Sequence, residues 1–275
     1  MHKLAFERPV AEQINLKIQG NLLEFKVRSP IPVIPPPCKR GIISGFSPSA
    51  RLRMFKFINR VNWNAALPGV FITLTYPDRF IGRPARQRNQ DRYLFARWAE
   101  SRAGKKIPYL WRCEWMPRKT GNHIGTFFAH LHLLYLGVRF LDKKEINAQW
   151  KKTIGAEGTV ITWVDGILDG RKAGIYLAKY IAKKEDSVVL DIPAYLNKIG
   201  RNWGTVRKGM IPLHPLHEFN HLTKSQVDWL RAEGSSALPW LDENHQGSFT
   251  VMGAAPQRIL EEMKELSLTG EDEGV

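Results

Sequence analysis

The sequence has only two cysteines, Cys38 and Cys113, in 275 residues. That is too few for a disulfide framework or a cysteine-based zinc site. No apolar run approaches the roughly 18 residues needed to cross a bilayer. The opening stretch, MHKLAFERPVAEQ, lacks the apolar centre of a secretory signal. No internal repeat is present. No G-x-x-x-x-G-K-[ST] phosphate loop occurs either, since AGKK at 103–106 is too short a match. The expectation is a cytoplasmic chain with no membrane partner and no nucleotide-driven motor of that type.

Acidic residues are also scarce. Lysine and arginine number 41 against 26 aspartates and glutamates, a net charge of +15. The last fifteen residues, EEMKELSLTGEDEGV, hold six acids and one lysine, so the first 260 carry +20. Such a field favours a polyanion, and nucleic acid comes ahead of an anionic membrane because no amphipathic anchor stands out.

Residues 1–46 read as an irregular N-terminal extension around the proline-rich SPIPVIPPPCKRG. A helix follows in SPSARLRMFKFINRVNW, with Ser47 as its cap and Pro48 in its first turn. Met54, Phe57, Ile58 and Val61 form its apolar stripe, and Arg53, Lys56 and Arg60 a basic one. Strands then alternate with helices. GVFITLTYP (69–77) is a strand, and the next helix ends near Gly104. IPYLWRCEWMP (107–117) and FFAHLHLLYLG (127–137) are strands joined by a short basic turn. Asp142 caps a helix that Gly155 stops, GTVITWVD is a strand, and GRKAGIYLAKYIAKKE is a helix. The order β-α-β-β-α-β-α over residues 47–187 predicts an α+β fold, a ferredoxin- or RRM-like antiparallel sheet with helices packed on one face. Residues 188–257 read as a basic and partly helical extension, with Thr223 and Gln226 in capping-box positions and Gly234 as a stop. Residues 258–275 read as an acidic tail.

The strand FFAHLHLLYLG is apolar enough to bury both faces, yet it spends two histidines on one of them. Period-2 geometry sends His130 and His132 to the same side and Leu131 to the other. On the preceding strand Glu114, with Leu110 and Arg112 on its side, is out of character among tryptophans and a cysteine. A hairpin would lay it beside the histidines. Two imidazoles and a carboxylate suit Mn2+ and accept Mg2+ if water completes the shell. His123, in the hairpin loop, is a further candidate.

In YLAKYIAKK (176–184), Tyr176, Lys179, Tyr180 and Lys183 share one helical stripe, opposite Leu177, Ala178, Ile181 and Ala182. Residues four apart stand about 5–6 Å from one another at Cβ, so both phenols can reach one phosphate. A phenol with its pKa near ~10 needs help to act as a nucleophile at neutral pH. Nearby lysines supply positive charge, and a metal on the phosphate oxygens would orient phosphorus for in-line attack.

FITLTYP, HLHLLYL and YLAKYIAKK, in that order, resemble the three motifs of HUH endonucleases, in particular the two-tyrosine rolling-circle replication initiators (Rep proteins) of plasmids and single-stranded DNA phages. GRNWG at 200–204 is similar to a segment that follows the tyrosine helix in these initiators. The resemblance covers about residues 47–205. It implies nicking of a single-stranded DNA origin, commonly a hairpin, a covalent 5′-phosphotyrosine intermediate and strand rejoining in a bacterial host. It also implies Mg2+ or Mn2+ held by His130, His132 and Glu114, and borrowed host helicase and polymerase. Tyr176 and Tyr180 match the paired nucleophiles, with Lys179 and Lys183 beside them. Both tyrosines satisfy the Tyr-x-x-Lys spacing, and relatives with an acid at the first position favour Tyr180.

Arg53, Lys56, Arg60, Arg201, Trp203, Arg207 and Lys208 are candidate DNA contacts. Of Trp111, Trp115, Trp163 and Trp203, which can all stack bases, Trp203 is the expected stacker, and Trp111 and Trp163 are expected in the core. The competing readings are a related HUH transposase or relaxase, a nucleic-acid-binding replication regulator that never cleaves, and a small-molecule metalloenzyme built on H-x-H plus Glu.

Overall fold

The computed structural model describes residues 13–28, 46–80, 82–117, 124–170, 173, 200–220, 222–238 and 248–269. The chain divides into two compact units, Arg40–Pro212 and the pair of segments Met1–Lys39 and Leu213–Val275. Its strands in chain order are β1 (Gln13–Gln19), β2 (Leu22–Arg28), β3 (Gly69–Thr75), β4 (Tyr109–Pro117), β5 (Phe127–Leu136), β6 (Thr162–Ile167), β7 (Trp203–Val206), β8 (Leu216–Asn220) and β9 (Phe249–Met252). Its described helices are α1 (Pro48–Arg60), α2 (Trp63–Ala66), α3 (Ala85–Ala103), α4 (Lys143–Ile154), α5 (Lys224–Ala237) and α6 (Ala255–Thr269).

The larger unit carries a five-stranded sheet in the order β6-β3-β5-β4-β7. Every neighbouring pair in it is antiparallel. Its first four strands, interleaved with α3 and α4, have the ferredoxin-like arrangement, and β7 extends the sheet past β4. Local signals place the helix ends. The Ser47 hydroxyl accepts from the Ala50 amide, and Asp142 accepts from Lys144 and Glu145. Gly104 and Gly155 close α3 and α4 in the left-handed region, at φ 64° and 68°.

Two cores sandwich this sheet. On one side Val70, Ile72, Leu74, Trp111, Leu131, Leu133 and Tyr135 meet Phe95 and Ala99 of α3 and Ile146 and Trp150 of α4. On the other, Met54, Phe57 and Ile58 of α1 cluster with Phe71, Leu110, Leu134 and Leu136. The central strand β5 is therefore apolar on both faces, except where its histidines project. Beyond the edge of the α1 cluster that second face turns polar.

The second unit is a correction to the N-terminal reading. Residues 13–28, expected to be irregular, form a hairpin around Gly20, whose φ is 59°. The pattern is local: Ile14, Leu16 and Ile18 alternate on one arm and Leu23, Phe25 and Val27 on the other. The hairpin is the centre of a four-stranded sheet, β8-β1-β2-β9. Its apolar face packs with Val227 and Leu230 of α5 and Ile259, Leu260 and Met263 of α6. The Thr223–Gln226 capping box is present, but α5 runs through Gly234, which is buried, and ends at Ala237. Residues 258–269, at the start of the acidic stretch, continue α6. No described helix is long and apolar enough to cross a membrane.

Candidate functional site

Cross-strand register builds the polar face row by row. Thr73 on β3 and Arg112 on β4 both stand opposite His132 on β5. The same row continues outward to Trp163 on β6 and Trp203 on β7. One step further along, Thr75 and Glu114 flank His130. Directly opposed residues project to the same side of a sheet, so one face gathers both imidazoles, one carboxylate, one guanidinium and two hydroxyls.

The side chains meet as that register dictates. His132 Nε2 lies 2.9 Å from Glu114 Oε2, both residues being buried. His132 Nδ1 is 2.9 Å from the Thr73 hydroxyl, and His130 Nδ1 is 3.1 Å from that of Thr75. The two imidazoles are near-parallel, 13° apart, with ring centroids separated by 6.4 Å. Phe71 stacks on the inner side of His132 at 5.8 Å. His130 is half-buried and stands outward of His132. Among the described residues no group of three or more His, Cys, Asp or Glu side chains closes into a metal cage. Two imidazoles and a carboxylate are the donor types that a divalent ion of the Mn2+ kind accepts. Both Nδ1 atoms are engaged by threonines, which orients the rings, and His132 Nε2 lies beside the Glu114 carboxylate.

The surroundings fix the Thr75 end of β3. The Trp150 indole donates to the Thr75 carbonyl at 3.0 Å. The Tyr76 hydroxyl donates to the fully buried Asp91 at 2.9 Å, and Arg83 grips the same carboxylate at 2.6 and 2.8 Å. Burial, then the Asp91 charge, pushes the Tyr76 phenol well above its ordinary value. Burial also raises Tyr109 and Tyr135. These three phenols are buried in the packed interior and present no hydroxyl to an incoming phosphate. Thr75 also borders a cleft of ≈ 430 Å³ lined by Tyr76, Asp78, Glu157 and Ile161.

The basic candidates separate. Arg53 is exposed on α1, while Lys56 and Arg60 are half-buried there. Lys208 Nζ lies 5.8 Å from the Phe57 ring of the same helix. The exposed Arg201 donates to the Trp203 carbonyl at 2.8 Å. Arg207 instead grips Glu100 of α3 at 2.5 and 2.9 Å, on the side of the sheet that α3 and α4 cover. Tyr176, Lys179, Tyr180, Lys183 and His123 lie outside the described residues.

The tryptophans redistribute too. Trp111 is buried as expected, and Trp115 lies under the Arg88 guanidinium at 4.6 Å. Trp203 is half-buried against the α1 core. Trp163, expected in the core, is 57% exposed, because β6 is an edge strand. Sequence reasoning missed Thr73 and Thr75. Their period-2 spacing in FITLT, matching that of the histidines, was the available signal.

A family model described as "Replication-associated protein" matches residues 69–185. No curated protein matches the chain, and no solved structure does.

Proposed function

Over residues 69–185 this chain belongs to a family of rolling-circle Rep proteins of the HUH endonuclease kind, and from that premise we propose that it initiates replication by nicking single-stranded origin DNA. The observation that carries the reading is the placement of His130, His132 and Glu114 on one sheet face, with Thr73 and Thr75 holding both imidazoles by Nδ1. Among the described residues this polar face runs out to the exposed edge strand β6, which favours an extended ligand over an enclosed small molecule.

In the proposed reaction the hydroxyl oxygen of Tyr176 or Tyr180 attacks the scissile phosphorus. The bond from phosphorus to the 3′-oxygen breaks, the 3′-oxygen leaves as a hydroxyl with the phenol proton, and the 5′-phosphate stays on tyrosine. A later 3′-hydroxyl attacks that phosphotyrosine and restores both phosphodiester and phenol. Lys179 and Lys183 would steady the phenolate. His130, His132 and Glu114 would hold Mg2+ or Mn2+, which supplies a Lewis acid for the non-bridging phosphate oxygens. Thr73 and Thr75 keep the two rings oriented throughout. Basic residues on and near α1, Arg53, Lys56, Arg60 and Lys208, would neutralise flanking phosphates, and Arg201 with Trp203 would extend that track. An unwinding enzyme and a polymerase of the host would act on the freed 3′-end.

The test is incubation with Mn2+ and labelled single-stranded origin DNA, followed by denaturing electrophoresis. A protein–DNA adduct that survives boiling in detergent is expected, and it should vanish in Tyr176→Phe/Tyr180→Phe while binding persists. Metal-independent binding with no adduct at all would leave a non-cleaving regulator as the answer.

A further inference from the structure

Of the eight tryptophans among the described residues, Trp163 alone is exposed, at 57%. Its place is specific. It sits on β6, an edge of the five-stranded sheet, and stands opposite Thr73, the residue whose hydroxyl meets His132 Nδ1. One threonine therefore separates the indole from an imidazole of the candidate metal set. Two strand spacings put Trp163 about 10 Å from the His132 backbone. The indole is also held. Its Nε1–H donates to Asp165 at 2.7 Å, so the polar edge is satisfied and the ring has one preferred orientation. Ile161, two residues earlier and 67% exposed, lines the cleft at Thr75 and prolongs the apolar edge.

An exposed aromatic on an edge strand, with an exposed isoleucine just before that strand begins, invites strand-to-strand aggregation, which natural sheets ordinarily suppress with charge. Their retention beside a polar, phosphate-suited face calls for an occupant with both a planar apolar surface and an anionic backbone. A nucleotide of single-stranded DNA has both. The charge agrees, since the first 260 residues carry +20.

We propose that Trp163 is a nucleobase-stacking residue, taking the base of a nucleotide adjacent to the phosphate at His130 and His132. This rests on the reading that the histidine face carries single-stranded DNA. It makes β6, rather than the Trp203 end of the row, the base-binding edge. The ring would act through its face, so any base would be accepted and the contact would set affinity and register more than sequence.

The experiment compares fluorescence anisotropy of two labelled probes in EDTA at fixed salt, so that no cleavage intervenes. One probe is a short oligothymidylate, the other an abasic strand of the same length. Trp163→Ala should weaken binding to the oligothymidylate roughly 5- to 150-fold, while Trp163→Tyr stays close to wild type. Affinity for the abasic strand should not change in either variant. Exposure of the side chain means that both variants should keep the thermal midpoint of the parent. Equal binding of oligothymidylate by Trp163→Ala and wild type overturns the proposal, as does an equal loss on both probes. Binding of neither probe by the wild type removes the nucleic-acid reading and this proposal with it. The expected Trp163 effect, in a protein that forms no covalent adduct, would remove only the nicking reaction.

Discussion

The Thr73 hydroxyl lies 2.9 Å from His132 Nδ1, across the register that pairs β3 with β5. This contact leaves Nε2 as the nitrogen available beside Glu114, and it ties the ring angle to the backbone of a neighbouring strand. Replacing Thr73 by valine keeps the β-branched shape and removes only the hydroxyl. The proposed metal role then predicts a Mn2+ affinity weaker by about 10- to 100-fold, read by calorimetric titration of the protein without DNA. Unchanged affinity would mean that the threonine does not orient a ligand.

Trp150 connects the core to the same row. Its ring is fully buried, and its indole N–H is spent on the Thr75 carbonyl, one residue before Tyr76. Trp150→Phe retains most of the packing against Tyr76 and Phe95 but leaves that carbonyl without its indole donor. The expected cost is about 1–3 kcal/mol, measured by urea unfolding. Trp150→Ala, which also opens a cavity, should cost about 3–5 kcal/mol. If the phenylalanine variant proves as stable as wild type, the hydrogen bond does not anchor the end of β3.

The central topology was legible because its punctuation is local. Ser47 and Pro48 start α1, Asp142 starts α4, and Gly104 and Gly155 stop α3 and α4, each through contacts within a few residues. The shared side of His130 and His132 followed from period-2 geometry, and the β4–β5 pairing expected of a hairpin brought Glu114 to the same face. Relations that depend on distant partners were hidden. Trp163 looks like a core residue in GTVITWVD, and only the strand order puts it on an open edge. The β1–β2 hairpin can be recognised from its own alternation, but its partners β8 and β9 lie about 200 residues away. No local pattern points to them. Gly234 fails as a stop because tertiary packing buries it inside α5.

Glu100 and Arg207 give the larger unit a pH-sensitive tie. Arg207 is the main cause holding the Glu100 carboxyl below its ordinary value, helped by the Ile107 amide and Lys106 against a smaller effect of burial. A carboxylate depressed on folding adds stability that is complete above its unfolded pKa and disappears as pH falls through the folded one. Glu100→Gln should therefore lower the thermal midpoint at neutral pH. The difference from wild type should close in acid, below about pH 4. A gap that stays constant down to acid would assign the loss to shape instead of charge.

The cluster of Tyr76, Arg83 and Asp91 sets the strongest expectation for stability. Asp91 is fully buried and meets both partners at once, so the carboxylate offsets a guanidinium whose side chain is itself only 16% exposed. Asp91→Ala would leave the largely buried Arg83 cation and the buried Tyr76 hydroxyl without their shared acceptor. Removing one member of such a pair costs about 3–5 kcal/mol, whereas replacing the whole group by apolar side chains can cost little. Tyr76→Phe should be milder, because it removes one donor and leaves the ion pair. The two changes share a partner, so they should not add: a double-mutant cycle is expected to return a coupling of about 0.5–3 kcal/mol. Strict additivity in urea unfolding would show that Tyr76 and Arg83 bind Asp91 independently, and that the end of β3 is not locked to α3 through one shared charge.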